Sequence, residues 1–223
     1  MKRTTSLLRL LLILMGFSLV TAAQDLKPIL LPAPQNSGGR PLMQVLHDRK
    51  STREFGPAKL SLQTLSNLLW AAFGINRPDG RRTAPSAMNM QEITIYDATP
   101  EGVYTYDAKA NALDPVLTGD FRAATGTQAY AKDAAVDLVY IADTTKAGAN
   151  PSPDAAMYNA ADTGFIAENV YLYCASEGLA VVVRASIDKP SLAKLLKLQP
   201  TQAIILAQSM GYPKEPATPS AQH

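Results

Sequence analysis

A short segment beside a predicted helix end concentrates groups that can bind an anion. Residues 48–55 read Asp-Arg-Lys-Ser-Thr-Arg-Glu-Phe, so three cations and two hydroxyls fall within residues 49–53, which we name the first box. Arg49 and Arg53 offer planar forks of donors, Lys50 a compact charge and Ser51 a short hydroxyl donor. Together they suit a phosphate group and the polar edge of a ring. Taken alone, the segment also fits a solvated helix end, where the helix dipole favours bases.

A second polar segment lies directly before a predicted strand. Residues 81–91, which we name the second box, read Arg-Arg-Thr-Ala-Pro-Ser-Ala-Met-Asn-Met-Gln. Small residues around Pro85 let the backbone approach a planar ligand, while Ser86, Asn89 and Gln91 supply directed donors and acceptors. The alternative interpretation is an ordinary polar turn ahead of a strand.

Several other chemistries are excluded by the residues present. The sequence has no G-x-G-x-x-G and no Walker motif, so it predicts no separate dinucleotide domain. His47 and His223 are its two histidines and lie far apart, which argues against a metal site or a Ser/His/Asp triad. Cys174 is its one cysteine, so no intrachain disulfide can form, and its apolar helical setting predicts a core residue.

The N-terminus has the pattern of a secretory signal peptide. Lys2, Arg3 and Arg9 form a basic region, residues 10–20 are largely apolar, and residues 21–23 are small. We expect cleavage after residue 23, with Gln24 as the mature start, and secretion to a compartment such as the periplasm. A retained anchor is the alternative, but the apolar run is shorter than the roughly 20 residues of a spanning helix.

Charge and length limit which functions and how many domains the remainder of the chain can have. Residues 24–223 carry 18 basic and 19 acidic residues, a net charge of −1, so basicity gives no argument for nucleic-acid binding. We predict an extended N-terminal arm over residues 24–40, one domain over residues 41–213 and a flexible tail over residues 214–223. A chain of about 200 residues can bury one sizeable core.

Helical and strand patterns alternate along the predicted domain. Helices are predicted from residue 42 to about 50, from Ser61 as N-cap to Gly74, over 120–132, over 162–177 with Phe165 and Ile166 inward, and over 189–196. Strands are predicted over 91–98, 102–106, 112–117, 136–142, 179–183 and 203–207. The pair at 102–117 must be antiparallel, so the fold class is α+β, a mixed, mainly antiparallel sheet flanked by helices.

In this order, the two boxes resemble the FMN-dependent nitroreductase superfamily. The resemblance rests on a basic-Ser-x-Arg-x-Phe box followed about thirty residues later by a Pro-Ser-x-x-Asn-x-Gln loop, and it spans roughly residues 42–213. Further segments look like its SagB-type dehydrogenase branch. They are residues 80–87, 102–107, 119–122, 167–172, 177–179 and 210–213.

The resemblance implies FMN at the interface of a homodimer. The first box would supply groups to the phosphate, the ribityl chain and the pyrimidine edge, and the second box would reach the flavin of the partner subunit. A segment at 182–185 would lie against the reactive face near N5. The implied cofactor-binding residues are Arg49, Lys50, Ser51, Arg53, Pro85, Ser86, Asn89, Gln91, Val183 and Arg184, with Lys214 as an additional candidate for the phosphate.

The implied activity is transfer of hydride or electrons from a small reduced donor, through flavin N5, to a small electron-poor acceptor such as a nitro compound or a quinone. The cofactor would carry the redox chemistry, so no side-chain nucleophile is required. Valines and an arginine stand at 182–184, where relatives usually have glycine or proline. The alternative function is therefore a non-catalytic, extracytoplasmic binding module for a flavin or another small planar ligand.

Overall fold

The computed structural model describes residues 26–147 and 153–214, and within them the chain forms a single sheet with helices on both faces. The sheet has seven strands in the order β1-β4-β3-β2-β5-β7-β6, and every described pairing is antiparallel. The predicted α+β class with a mainly antiparallel sheet is confirmed.

The strands in chain order are β1 (Ile29–Leu30), β2 (Ile93–Ala98), β3 (Gly102–Asp107), β4 (Ala112–Thr118), β5 (Val136–Asp143), β6 (Ala180–Arg184) and β7 (Gln202–Gly211). The α-helices are α1 (Leu42–Asp48), α2 (Leu62–Phe73), α3 (Ala155–Glu177) and α4 (Lys189–Leu195). Sequence analysis anticipated six of these strands and all four helices. The two-residue β1, which adds to β4, was not anticipated because two residues leave no periodic pattern.

Local signals define the helix ends as expected. The Ser61 hydroxyl accepts the backbone N–H of Thr64, which satisfies one of the free donors at the start of α2. Gly178 adopts φ 71° directly after α3, a left-handed conformation that glycine tolerates best. Ser61 thus begins α2, and Gly178 ends α3 just before β6.

The two faces of the sheet pack against different helices. On one face, α2 and α3 bury Leu68, Leu69 and Ile166 against strand residues such as Leu138 and Tyr140. On the other face, α4 contributes Leu192 and Leu196 to a smaller cluster with Val139 and Ile141. Because β5 is buried on both faces, seven of its eight residues are inaccessible, which explains its nearly continuous apolar sequence.

Two expectations were wrong. Residues 120–132 do not form an α-helix but two 3₁₀ turns, Arg122–Thr125 and Ala129–Asp133, separated by Gly126. Gly126 lies against the Arg184 guanidinium, so this stretch is shaped by a tertiary contact rather than by its own propensity. Phe165 was expected inward but is 49% exposed on α3.

Candidate cofactor site

The first box follows the C-terminus of α1 and is tied to the sheet through Tyr171 of α3. The Ser51 hydroxyl lies 2.8 Å from the Tyr171 hydroxyl, which also accepts the backbone N–H of Val183 at 2.9 Å. The guanidinium carbon of Arg49 lies 5.3 Å from the centre of the Tyr171 ring, within the range of a cation–π contact. Tyr171 therefore joins the two predicted cofactor segments, a role that the sequence pattern did not indicate.

The first box keeps positive charge that no carboxylate of the described residues neutralises at Lys50 or Arg53. The neighbouring Asp48 is occupied: His47 hydrogen-bonds its carboxylate, Arg40 pairs with it, and these contacts lower the pKa of Asp48 in that order. In the described part of the chain, the exposed side chains of Lys50 and Arg53 have no ion pair or hydrogen bond. Two free cations beside a hydroxyl fit the phosphate and polar edge of FMN.

The second box adopts a strained loop that its own side chains hold together. Met88, Asn89 and Gln91 have φ values of 51°, 56° and 51°, a left-handed conformation that costs non-glycine residues about 1–2 kcal/mol each. The Gln91 N–H donates to the Ser86 hydroxyl at 3.0 Å, and the Gln91 side-chain amide donates to Asn89 at 3.1 Å. The Arg82 guanidinium donates to the side-chain amide oxygen of Gln91 at 2.8 Å. Strain of this kind persists where the surrounding structure holds it, and it is common at ligand sites.

Helix α3 also anchors the second box. The Ala87 N–H donates to the buried Asp162 carboxylate at 2.8 Å, while Tyr171 holds the first box nine residues further along the helix. Nine helical residues span about 13 Å. Both boxes are thus positioned from one rigid element at a fixed separation.

Cavities adjoin both boxes. One of about 300 Å³ is lined by Asp48, Lys50, Thr52, Ala175, Gly178, Leu179, Ala180, Val181 and Pro213. Another of about 420 Å³ is lined by Arg77, Arg81, Arg82, Ala84, Pro85, Ser86, Met88 and Asn89. Lys214 lines neither: it borders a third cavity together with Lys59, Arg122 and Lys132.

The expected role of the Arg184 side chain in cofactor binding is corrected by its burial. Its guanidinium donates to Asp137 at 2.7 Å, to Ser209 at 3.0 Å and to the carbonyl and hydroxyl of Thr125. The side chain is buried on the sheet face opposite α3, because side chains alternate between faces along β6. These four hydrogen bonds and the burial of the side chain keep the Arg184 guanidinium away from the surface where a ligand would bind.

This ion pair contains one buried carboxylate, Asp137, and a second buried carboxyl group, Asp97, lies near it. Burial raises the pKa of Asp137 to about 6, although Arg184 and the Ser209 hydroxyl act in the opposite direction. Burial and then the charge of Asp137 raise the pKa of Asp97 to about 8. Within the described residues, neither carboxylate oxygen of Asp97 has a hydrogen-bond partner. The centre of the sheet therefore contains a carboxyl group that is costly to ionise.

Large apolar side chains are exposed on both α1 and α3. Leu42, Met43 and Leu46 are exposed on α1, and Met157 and Phe165 are exposed on α3. Gly164 lies beside Phe165 with open space where a Cβ would be, although glycine in a helix interior costs about 1 kcal/mol relative to alanine. Exposed apolar side chains of this size are found at interfaces.

Among residues 26–147 and 153–214, no group of three or more His, Cys, Asp or Glu side chains could hold a metal ion. Over the same residues, no helix combines the length and apolar character needed to cross a bilayer. The predicted signal peptide, residues 1–23, lies outside the described residues.

The fold and the two boxes define an α+β protein with a site suited to a planar, anionic cofactor. A model of the nitroreductase family matches residues 46–212, and the chain belongs to this family. This membership confirms the predicted superfamily and supports an FMN-type oxidoreductase.

Similar proteins cover most of the chain. A crystal structure from Ralstonia eutropha, titled a putative nitroreductase, is 40% identical with a TM-score of 0.82, over 86% of this chain and 92% of that one. A Methanocaldococcus jannaschii protein named a putative nitroreductase is 28% identical over 168 residues, 71% of this chain and 85% of that protein. A Desulfovibrio desulfuricans structure in complex with FMN shares the fold, with 18% identity, a TM-score of 0.58 and coverage of 83% and 94%.

The structure places the predicted site residues in three groups. Arg49, Lys50, Ser51 and Arg53 lie together beside Tyr171 and Val183. Pro85, Ser86, Asn89 and Gln91 share the strained loop. Arg184 stands apart in the buried ion pair. Sequence reasoning missed Tyr171 and Asp162, because a polar residue in a helix carries no local sign of its tertiary partner.

Proposed function

We propose that this protein is an FMN-dependent oxidoreductase that passes hydride or electrons from a small reduced donor to a small electron-poor acceptor such as a nitro compound or a quinone. The observation that carries the proposal is the unneutralised charge of Lys50 and Arg53, in a box that Tyr171 ties to β6. Bound FMN would supply the redox chemistry, with hydride exchanged at N5.

The residues of this chain would bind and orient rather than react. Arg49, Lys50 and Ser51 would hold the phosphate and the ribityl chain through charge-assisted hydrogen bonds. Arg53 or Lys50 would lie at the pyrimidine edge, where a positive charge stabilises negative charge that develops on reduction. Within the family, the motifs quoted above favour the SagB-type branch.

The functional unit is proposed to be a homodimer. The exposed apolar face formed by Leu42, Met43, Leu46, Met157 and Phe165 would be covered by a second copy, with Gly164 allowing close approach. The second box of one subunit would then complete the flavin site of the other. After cleavage of residues 1–23 this dimer would act outside the cytoplasm, where nicotinamide cofactors are scarce, so another reduced donor would serve it.

Replacing Lys50 and Arg53 together by alanine should weaken FMN binding by at least tenfold, because about 1.4 kcal/mol accompanies each tenfold change and a charge-assisted contact contributes about that much. The affinity for riboflavin, which lacks the phosphate, should fall less than the affinity for FMN. Both affinities are measured by quenching of flavin fluorescence on titration with the protein. The exposed Lys109→Ala serves as a distant control with unchanged binding.

The unmodified protein should be yellow and should bleach on anaerobic reduction. A colourless protein that does not bind added FMN would refute the proposal.

A specific observation favours a second candidate, a binding module without turnover: the Val183 N–H is already engaged by Tyr171, and the Arg184 side chain is buried. Affinity for FMN without reduction of a nitro compound or quinone by an artificial donor would support that module.

Phe165→Asp should convert the dimer to a monomer and weaken FMN binding, because a carboxylate would be buried in the apolar contact and the second box would be withdrawn from the partner's site. Light scattering at fixed protein concentration measures the mass. Leu30→Asp, at a leucine on β1 that is 77% exposed, should remain dimeric. A wild-type protein that is monomeric with FMN bound would contradict the dimeric site.

A further inference from the structure

Two buried carboxyl groups lie directly beneath the second box. Asp162 of α3 is 3% exposed and accepts the Ala87 N–H at 2.8 Å. Glu92 follows Gln91 at the end of the box and is 1% exposed. The Glu92 backbone is itself fixed, since its carbonyl accepts the N–H of Asp143. The pair thus joins the strained loop to both α3 and the sheet.

The Glu92 carboxyl group lacks a donor from any other residue. Among the described residues, neither of its oxygens has a partner in a well-formed hydrogen bond, its own backbone N–H lies close to it, and Asp162 is the carboxyl group beside it. Two ionised carboxylates cannot hydrogen-bond each other, but a single proton held between them makes one a donor to the other. Burial of an unpaired charge would otherwise be strongly unfavourable.

The surrounding charges do not replace that proton. Lys146 donates to the Gln91 carbonyl at 3.3 Å and to the Thr94 hydroxyl at 3.5 Å, so its ammonium group lies near the loop without bonding the Glu92 carboxylate. Arg82 is directed to Gln91, and Asp143 to the Thr145 hydroxyl. Burial raises the pKa of Glu92 most, its own backbone N–H opposes the shift, Asp162 raises the pKa further, and Lys146 partly opposes the shift.

We propose that Asp162 and Glu92 form a proton-sharing carboxyl pair that positions the second box for cofactor binding. Asp162 and Glu92 are positioning residues: Asp162 fixes the Ala87 N–H, and protonated Glu92 fixes Asp162. The proposal rests on the FMN site proposed above and adds to it a dependence of the loop on one buried proton.

The direction of the pH effect follows from the raised pKa of Glu92. At low pH the pair keeps its proton and the loop its shape. As the pH rises from the ordinary glutamate value through the raised one, the proton is lost and two negative charges repel each other beneath the box. Affinity for FMN should therefore fall on the alkaline side.

The test compares FMN dissociation constants from pH 5.5 to 9 for the wild type and four variants. In Glu92→Gln a permanent amide donor replaces the shared proton, so the wild-type to variant ratio of dissociation constants should rise at least threefold with pH. The titration of the FMN phosphate cancels in this ratio. Asp162→Ala should weaken binding at least fivefold, and Asp162→Asn, which still accepts from Ala87, should recover most of it. Asp114→Asn, at an exposed position on β4, should follow the wild type.

A second readout needs no flavin. Carbon-13 NMR of the free protein should show the Glu92 carboxyl titrating above its ordinary range, and hydrogen exchange should show the Ala87 amide losing protection in Asp162→Ala. If the wild type fails to bind FMN, the proposed function fails while these measurements still test the pair. Titration of Glu92 in its ordinary range, or an unchanged pH profile in Glu92→Gln, would overturn the pair itself.

Discussion

Replacing Arg184 by methionine should lower the free energy of unfolding by about 3–5 kcal/mol, because the Asp137 carboxylate would remain buried without its counter-charge. Asp137 is fully inaccessible, and its remaining hydrogen bonds come from the Ser209 hydroxyl and the neighbouring Thr125. Urea denaturation at neutral pH measures the loss. The change is large because removing one charge of a buried ion pair destabilises a protein far more than replacing both charges by apolar residues.

The matched variant removes both charges. Arg184→Met combined with Asp137→Leu should recover much of the lost stability, since apolar residues of similar volume often replace a buried ion pair without net cost. FMN affinity of the folded single variant should stay near that of the wild type, because the guanidinium lies on the face of the sheet opposite α3. Loss of FMN binding with unchanged stability would restore Arg184 to the cofactor site.

Asp97→Asn should stabilise the protein increasingly as the pH rises. The pKa of Asp97 is raised from 3.8 to about 8, so between these values the unfolded chain ionises this group while the folded chain holds it neutral. Stability of the wild type is therefore lost as the pH rises through this window, by up to about 1.4 kcal/mol per pH unit. The asparagine does not ionise, so the variant escapes this loss.

The measurement is a series of urea or thermal unfolding curves from pH 4 to pH 8. The two proteins should be similar near pH 4 and diverge towards pH 8. The same substitution at the exposed Asp114 should give no such divergence. A constant difference between Asp97→Asn and the wild type at every pH would show that Asp97 is not held neutral in the folded protein.

These buried carboxyl groups lay beyond the reach of sequence analysis. Asp97 and Asp137 stand within strands whose other residues are mainly apolar, and a lone aspartate in such a strand gives no indication of its partner. Arg184 was interpreted as a ligand contact because it adjoins Val183, yet consecutive strand residues point to opposite faces. The burial of the Arg184 side chain argues against its expected contact with the cofactor, while the placement of the 182–185 backbone beside the flavin stays a prediction.

Local chemistry determined much of the rest. Ser61 and Gly74 bounded α2, Gly178 ended α3, and alternating residues across a tight turn specified the β3–β4 hairpin. The sequence by itself also determined the composition of the two boxes, because an anion site needs particular donors at close spacing. Family membership followed from the order of those motifs.

The tertiary structure decided which of these groups meet. Only the packing of α3 brings Tyr171 to the first box and Asp162 to the second. The Ser51–Tyr171 contact joins residues 120 positions apart in the chain, and the Ala87–Asp162 contact joins residues 75 positions apart. The exposure of Phe165 and the burial of Arg184 were likewise settled by neighbours distant in sequence. Donor types are properties of residues, whereas burial and pairing are properties of the assembled fold, which is why the boxes could be read from the sequence and their supports could not.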